Sequence, residues 1–225
     1  MNWDTKYKSN ERVWGEGPSE LALAAVGYLQ NCRSNNDLVR LRIVDIGCGY
    51  GRDALYFSEH LRCSVLGIDI SEEAIGMART TSREMSKGSV QFRCCNFTEL
   101  DRSRYDVVFV ANLYHLLRPA EREELIKKIE EVLTSGGLLF LNALSTNDPE
   151  EYGKGIPVRN EPHSFQKGKY LHFCTHDELE DYFNFTTIKE LYEHTYDEPH
   201  VTGETHHHIS WILIGESLET SDNHG

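Results

Sequence analysis

The sequence predicts an α/β fold built on a mostly parallel sheet with helices on both faces. Three observations carry this. Short apolar runs alternate with helix-length segments between residues 41 and 144. Those runs barely alternate with polar residues, as strands buried on both faces require. The first run empties into the glycine-rich stretch VDIGCGYG, residues 44–51.

Taken in order, LRIVDIG (41–47) is a strand, and 51–61 a helix with Ala54, Leu55, Phe57, Ser58 and Leu61 on one side. CSVLGID (63–69) is the second strand. Ser71 caps the helix that follows, with Glu72 and Glu73 favourable in its first turn. VQFRCCN (90–96) and YDVVFVANL (105–113) are the third and fourth strands. Residues 121–133 read as an amphipathic helix ended by Gly136 and Gly137, and LLFLNAL (138–144), without charge, as a central fifth strand. Residues 145–172 form a long connection rich in Gly, Pro and charge, as lids and binding loops are. Thr175 and Glu178 make a capping box for a helix over 176–183. TTIKELYEH and HHISWILIGE pair as an antiparallel hairpin at the sheet edge. The expected organisation is one domain over 1–215: an N-terminal cap and helix (1–40), a core (41–144), a substrate-side loop (145–172), and a C-terminal helix with the hairpin (173–215). Residues 216–225 are expected to be a disordered tail.

Composition narrows the partners. Thirty-six acidic residues against 23 Lys and Arg give a formal charge of -13, which repels polyanions and argues against nucleic acid. No apolar run approaches the roughly 18 residues of a membrane span, and the N-terminus lacks a signal-peptide core, so a cytoplasmic protein with a small-molecule substrate is expected. The six cysteines contain no C-x-x-C spacing and read as reduced thiols. The adjacent Cys94 and Cys95 point to opposite faces of a strand.

A strand running into a glycine turn and a helix N-terminus suits a nucleotide-like ligand. The spacing Gly47-x-Gly49-x-Gly51 fits a dinucleotide fingerprint only when counted from Gly49, whose third small residue falls on Ala54. Asp45, inside the strand, would meet a cationic ligand group and repel a pyrophosphate. Asp69 closes the second strand eighteen residues beyond Gly51, where a carboxylate accepts both hydroxyls of a ribose. S-adenosylmethionine combines an adenosine with a free amino acid and no phosphate.

VDIGCGYGRDALYF, VLGID, YDVVFVANLYHLL and LTSGGLLFL, in this order over about residues 41–144, resemble the class I S-adenosylmethionine-dependent methyltransferases. GCGYGRDALYF and EPHVTGETHHHISWILIG further resemble the branch with the tellurite-resistance (TehB-like) enzymes. The resemblance implies a Rossmann-like, seven-stranded, mostly parallel sheet with one antiparallel strand from the C-terminal hairpin. It implies S-adenosylmethionine as cofactor and S-adenosylhomocysteine as product. By position, Asp45 and the backbone of Gly47, Cys48, Gly49 and Gly51 hold the amino-acid end of the cofactor. Asp69 takes the ribose hydroxyls and Ile70 packs on the adenine. Asn96 and Phe97 meet the adenine edge, and Ala111 lines the pocket near the methionine moiety. Many members carry Asp where this chain has Asn96, whose amide oxygen would accept from the adenine amino group without charge assistance. Trp3, Tyr7 and Trp14 either cap the cofactor or staple the N-terminus to the fold.

Methyl transfer needs an aligned nucleophile and dry surroundings, and a base only for a protonated acceptor. Tyr114 and His115, after the fourth strand, are the candidate catalytic pair, with packing at the turn as the alternative role of His115. Arg52 either attracts an anionic substrate or pairs with an acid such as Asp45. Among His194, His200, His206, His207 and His208, the pair His206 and His208 shares a strand face; no metal is expected there. These histidines bond at the sheet edge or line the substrate mouth, joined by His163 and His172. A soft acceptor, a metalloid oxyanion or a thiolate, fits the lack of an evident base. A cofactor-binding regulatory module and an NAD-linked oxidoreductase are the alternative functions.

Overall fold

Strands that are apolar on both sides need two cores, and the structure supplies them. A computed structural model of the protein describes residues 3–9, 15, 17–85, 89–199 and 205–218. Helices α1 (Trp3–Ser9) and α2 (Glu20–Cys32) and a single turn, α3 (Asn35–Leu38), lead to β1 (Arg42–Ile46). There follow α4 (Arg52–Leu61), β2 (Ser64–Asp69), α5 (Glu72–Met85), β3 (Ser89–Cys94), β4 (Tyr105–Val110), α6 (Pro119–Val132) and β5 (Leu133–Leu144). Short 3-10 turns, Phe97–Glu99 and Tyr114–Leu116, flank β4. Three short strands come next, β6 (Ile156–Pro157), β7 (Ser164–Lys167) and β8 (Lys169–His172), then α7 (His176–Tyr182) and the hairpin β9 (Thr186–Pro199) and β10 (Thr205–Ser217).

The main sheet has seven strands in the order β3-β2-β1-β4-β5-β10-β9. Strands β1 to β5 pair in parallel, and β10 runs antiparallel to both β5 and β9. The side-chain period of two divides each central strand between the two cores. Ile43, Val107, Phe109, Leu138 and Phe140 face α2 and α4, where the Phe57 and Phe109 rings meet edge-on at 4.8 Å. Val44, Val108, Val110, Leu139 and Leu141 face α6 and α7. Asp45 shares the first of these faces and is buried there.

The caps read from the sequence form: the Ser71 hydroxyl accepts the Ala74 amide at 3.2 Å, and the Thr175 hydroxyl accepts the Glu178 amide at 3.2 Å. Four expectations are corrected. The Glu178 carboxylate does not return to the cap of α7, because it is bound to His172. Gly136 and Gly137 do not end α6, which passes directly into β5 at its cap residue Leu133. They serve a bulge instead: between the pairs Tyr105–Leu133 and Val107–Leu138, β5 spends four residues (134–137) against one on β4 (106). Gly136 takes φ +68, and a Cβ on Gly137 would lie 2.9 Å from the Thr134 carbonyl oxygen. Residues 145–172 are not an irregular loop but carry the antiparallel sheet β6-β7-β8. Strand β10 continues through Ser217, beyond the expected start of the tail at 216; residues 219–225 lie outside the described residues. No helix among the described residues is long and apolar enough to cross a membrane.

Gly51 is required by packing as well as by its φ of +81, since a Cβ there would stand 2.6 Å from the Phe92 ring and 3.0 Å from Ala78 Cβ. Gly51→Ala should therefore lower unfolding stability by about 2–4 kcal/mol, strain and overpacking together. In a Phe92→Ala background the backbone strain and the milder approach to Ala78 should persist, roughly 1–2 kcal/mol. Urea unfolding of the four proteins of this cycle measures the coupling, and strict additivity would reject the steric account.

Candidate active site

The parallel strands β1, β2 and β4 all point their C-terminal ends at one cavity of about 440 Å³, as open α/β sheets do. Its floor is the turn after β1. The amides of Gly47 and Cys48 both donate to the Ile68 carbonyl, at 2.8 and 2.9 Å, and the Gly49 amide donates to Asp69 Oδ2 at 2.9 Å. Gly47, Gly49 and Gly51 all have positive φ, the left-handed region open to glycine. A Cβ on Gly49 would come within 2.8 Å of the Tyr7 hydroxyl.

Asp69 Oδ1 accepts the Ser71 amide at 2.9 Å, so each carboxylate oxygen holds one amide and keeps a further lone pair. Burial raises its pKa against the help of these amides. Asp45 is only 2% exposed, and its Oδ2 has no hydrogen-bond partner among the described residues. Burial pushes this carboxyl well above the usual carboxylate range, and the charges of Asp53 and Asp69 push the same way while Arg52 opposes them. Asp53 is itself raised by burial, although its Oδ1 accepts the Ser19 amide at 2.7 Å.

Helix α1 lies over this floor. Trp3 and Tyr7 line the cavity, Tyr7 meets Tyr50 edge-on at 6.2 Å, and the helix is tied down by Ser71 donating to Asp4 at 2.6 Å and by the Lys8–Glu73 ion pair at 3.0 Å. The aromatics thus both line the cavity and staple the segment, while Trp14 lies outside the described residues. Ile70 is 56% exposed at the cavity edge. Asn96, Phe97 and Ala111 also line it. Asn96 Oδ1 is taken by the amide and hydroxyl of Thr98, at 3.0 and 3.1 Å, because Asn96 caps the turn Phe97–Glu99. The amide oxygen expected to face an adenine amino group is therefore already engaged.

Several expected residues lie elsewhere. Tyr114 and His115 do not line the cavity, because the 3-10 turn that carries them rolls both side chains inward. Tyr114 is fully buried against Phe183, and burial pushes its phenol far up. Burial, then the neighbouring Lys169, His172 and His208, lower the His115 pKa to about 3. Arg52 does line the cavity, but its ion pair is with Asp53 at 3.9 Å, not Asp45, and it also donates to the Gly17 carbonyl at 3.3 Å.

Of the substrate-side histidines, His163, His172 and His208 do not line the cavity either. His163 meets the Tyr152 hydroxyl at 2.9 Å, His172 lies between Ser164 at 2.9 Å and Glu178 at 2.8 Å, and His208 bonds Asp148 at 2.9 Å. His206 pairs with Glu198 in the hairpin; its side chain, like His200, lies outside the described residues. His172, Cys174 and Glu178 bring donor atoms within 4.8 Å of one another, but the imidazole and carboxylate already satisfy each other.

The other half of the cavity lies under the 145–172 segment, expected from the sequence as a substrate-side loop, although the residues that line it here are not among those the sequence singles out. Its walls are Asn112, Leu113, Leu116, Leu117 and Arg118, and its roof is the β7–β8 tip with Gln166, Lys169 and Tyr170. The basic QKGKY in so acidic a chain was the available signal. Asn112 sits at φ +54, locked by reciprocal bonds with Asn142 at 2.7 and 2.9 Å.

Comparison with known proteins agrees with this geometry. The family described as "Methyltransferase domain" matches residues 43–137. A ubiquinone biosynthesis O-methyltransferase of Bradyrhizobium sp. (strain ORS 278) is 31% identical over 121 residues, 53% of this chain and 46% of that protein. The chain spans about half the length of such curated relatives. Among solved structures, a SAM-dependent methyltransferase from Methanosarcina mazei superposes with TM-score 0.70 at 24% identity, covering 86% of this chain and 98% of that one. TehB from Haemophilus influenzae superposes with TM-score 0.69 at 16% identity, covering 95% of this chain and 66% of that one. At such identities the likeness is one of fold, and TehB is one of several such neighbours. Residues 43–137 thus match the methyltransferase domain family, and the sheet that carries them has the fold of solved S-adenosylmethionine-dependent methyltransferases.

Proposed function

We propose that this protein transfers the methyl group of S-adenosylmethionine to a small-molecule acceptor. The observation that carries the reading is the buried Asp45 oxygen without a hydrogen-bond partner among the described residues, at the foot of a glycine turn that closes on β2. A buried carboxylate asks for a cation, and the cofactor offers an ammonium and a sulfonium. A pyrophosphate in the same place would meet three acids, Asp45, Asp53 and Asp69, which speaks against a dinucleotide.

In this reading Asp45 and the backbone of residues 47–51 hold the amino-acid end, Cys48 included. The remaining lone pairs of Asp69 take the ribose hydroxyls, and the exposed Ile70 side chain covers one adenine face. Asn96 has its oxygen engaged in the cap and so turns its NH₂ toward the adenine edge, with Phe97 beside it. Ala111 borders the methionine moiety. The cofactor, when bound, supplies an electrophilic methyl on a positively charged sulfur. The chain's own part is to align the acceptor, to exclude water with α1 and the β7–β8 roof, and to surround the positive charge with acids.

No base from this chain is assigned. With a pKa of about 3, His115 is a poor proton acceptor, and Tyr114 is sealed in the core. This favours an acceptor that arrives with its own lone pair, such as a metalloid oxyanion or a thiolate. Methyl-labelled S-adenosylmethionine offered with tellurite, selenite, thiols, amines and carboxylic acids tests the reading. Cofactor binding without label transfer to any acceptor would replace it with a regulatory module.

Two predictions follow from the assigned residues. Asp69→Ala should weaken S-adenosylhomocysteine binding by about tenfold or more, the scale of hydrogen bonds to a charged group, with Asp69→Asn in between. Calorimetric titration reads this, with urea midpoints to separate loss of the turn. Unchanged affinity would reject the ribose role.

His115 gives the second. Its folded pKa of about 3 lies below the unfolded value near 6.5, so the unfolded chain binds more protons between them. Stability from this residue is complete above about pH 6.5 and falls with pH, by roughly 2 kcal/mol at pH 5. His115→Gln should flatten the fall in unfolding free energy between pH 7.5 and pH 5 by about that amount. Equal slopes in both proteins would show that His115 is not held neutral.

A further inference from the structure

The cavity is electrically divided. Asp45 and Asp69 stand toward the ends of β1 and β2 and Asp53 in the first turn of α4, and the Arg52 guanidinium is tied among them through Asp53 and the Gly17 carbonyl. The other two lining cations, Arg118 and Lys169, stand at the opposite side, under the β7–β8 tip.

These two differ in how they are held. Gln166 and Tyr170 form a cross-strand pair of the hairpin, and together they fix Arg118: its guanidinium stacks 4.0 Å from the Tyr170 ring centroid and donates to Gln166 Oε1 at 3.2 Å. Glu161 stands 3.6 Å from Nη1 and offsets its charge. Glu121 also lines the cavity, but its Oε2 is committed to the Arg118 amide at 2.7 Å as the cap of α6. Lys169 sits at the tip itself, where Gly168 turns at φ +68 and Lys167 pairs with Lys169. It is half-buried and has no hydrogen bond or ion pair among the described residues. A half-buried ammonium without a counter-ion gains most from an anionic ligand. The fixed fork of Arg118, at the positive end of the 14-residue helix α6, adds direction to that gain.

We infer that the acceptor carries an anionic oxygen group, a carboxylate or a metalloid oxyanion, held at the cavity roof by Lys169 with Arg118 beside it. The inference rests on the methyl-transfer reading for the word acceptor, and on the roof alone for the anion. It narrows the substrate class: neutral amines and alcohols lack the handle, whereas small acids and oxyanions have it.

The test titrates selenite, tellurite, benzoate, salicylate and 3-phenylpropionate, each organic acid alongside its primary amide, into the protein by calorimetry. Titrations run with and without saturating S-adenosylhomocysteine. At least one anion should bind, with its amide counterpart about tenfold weaker or worse. Lys169→Met should weaken that anion by about tenfold and Lys169→Arg should retain it, with the S-adenosylhomocysteine affinity of both variants unchanged. Binding confined to selenite and tellurite identifies the metalloid source, and binding confined to the organic acids identifies carboxylates. No anion bound, amides equal to acids, or an unaltered affinity in Lys169→Met would each overturn the inference. Failure of the methyl-transfer reading shows separately, as no S-adenosylhomocysteine binding and no label transfer, while the cofactor-free titrations still report on the roof.

Discussion

The site depends on how the turn after β1 is tied to β2. Three successive amides, of Gly47, Cys48 and Gly49, are consumed by the Ile68 carbonyl and the Asp69 carboxylate. A turn that satisfied its own amides would not need the neighbouring strand, and its position would drift. Here the strand order itself sets the cavity floor, because β1 and β2 are hydrogen-bonded neighbours in register from Arg42–Ser64 to Ile46–Ile68. The cost is a concentration of carboxylates in a low-dielectric place: Asp45, Asp53 and Asp69 all have raised pKa values, burial first. Such a cluster is tolerated where function uses it, and a cationic ligand relieves it.

Phe92 works from the other side of β2. Its ring fills the space above both Gly51 and Gly67, within 2.7 Å of where either Cβ would stand. All three glycines of the turn have positive φ; the third is further required by the Phe92 ring and Ala78, and the first two by the closeness of Leu113 and Tyr7. A glycine-rich fingerprint mixes these causes, and only the contacts separate them.

What could be read in advance follows from range. Strands buried on both faces, the Ser71 and Thr175 caps and the terminal hairpin are local patterns, and they stand in the structure where the pattern put them. Glu178 was misplaced because its partner, His172, lies on another element, and the bonding of His208 to Asp148 spans 60 residues. Strands of two to four residues such as β6, β7 and β8 carry no periodicity to detect, so the roof was taken for a loop. Tyr114 and His115 were placed by their distance from β4, but the sense of one 3-10 turn decides whether such residues face the cavity or the core. Of the cavity itself, the floor is legible because one sequence motif builds it; the side under the 145–172 segment is legible only as a loop position and not residue by residue, because three separate segments meet there.

The roof is a rigid part, and its rigidity comes from buried polar groups. Tyr170 is the joint. Its hydroxyl accepts from Arg122 at 3.0 Å and shares a bond with Ser164 at 3.1 Å, while its ring carries the Arg118 guanidinium. Ser164 continues to His172 at 2.9 Å and His172 to Glu178 on α7, and Arg122 continues to the Leu117 carbonyl at 2.8 Å. A hairpin of two four-residue strands would be marginal alone. Braced to α6 and α7 through satisfied groups, it holds its shape before any ligand arrives, so less ordering entropy is lost on binding. The lysine at its tip, whose side chain has no hydrogen bond or ion pair among the described residues, stands on that braced support.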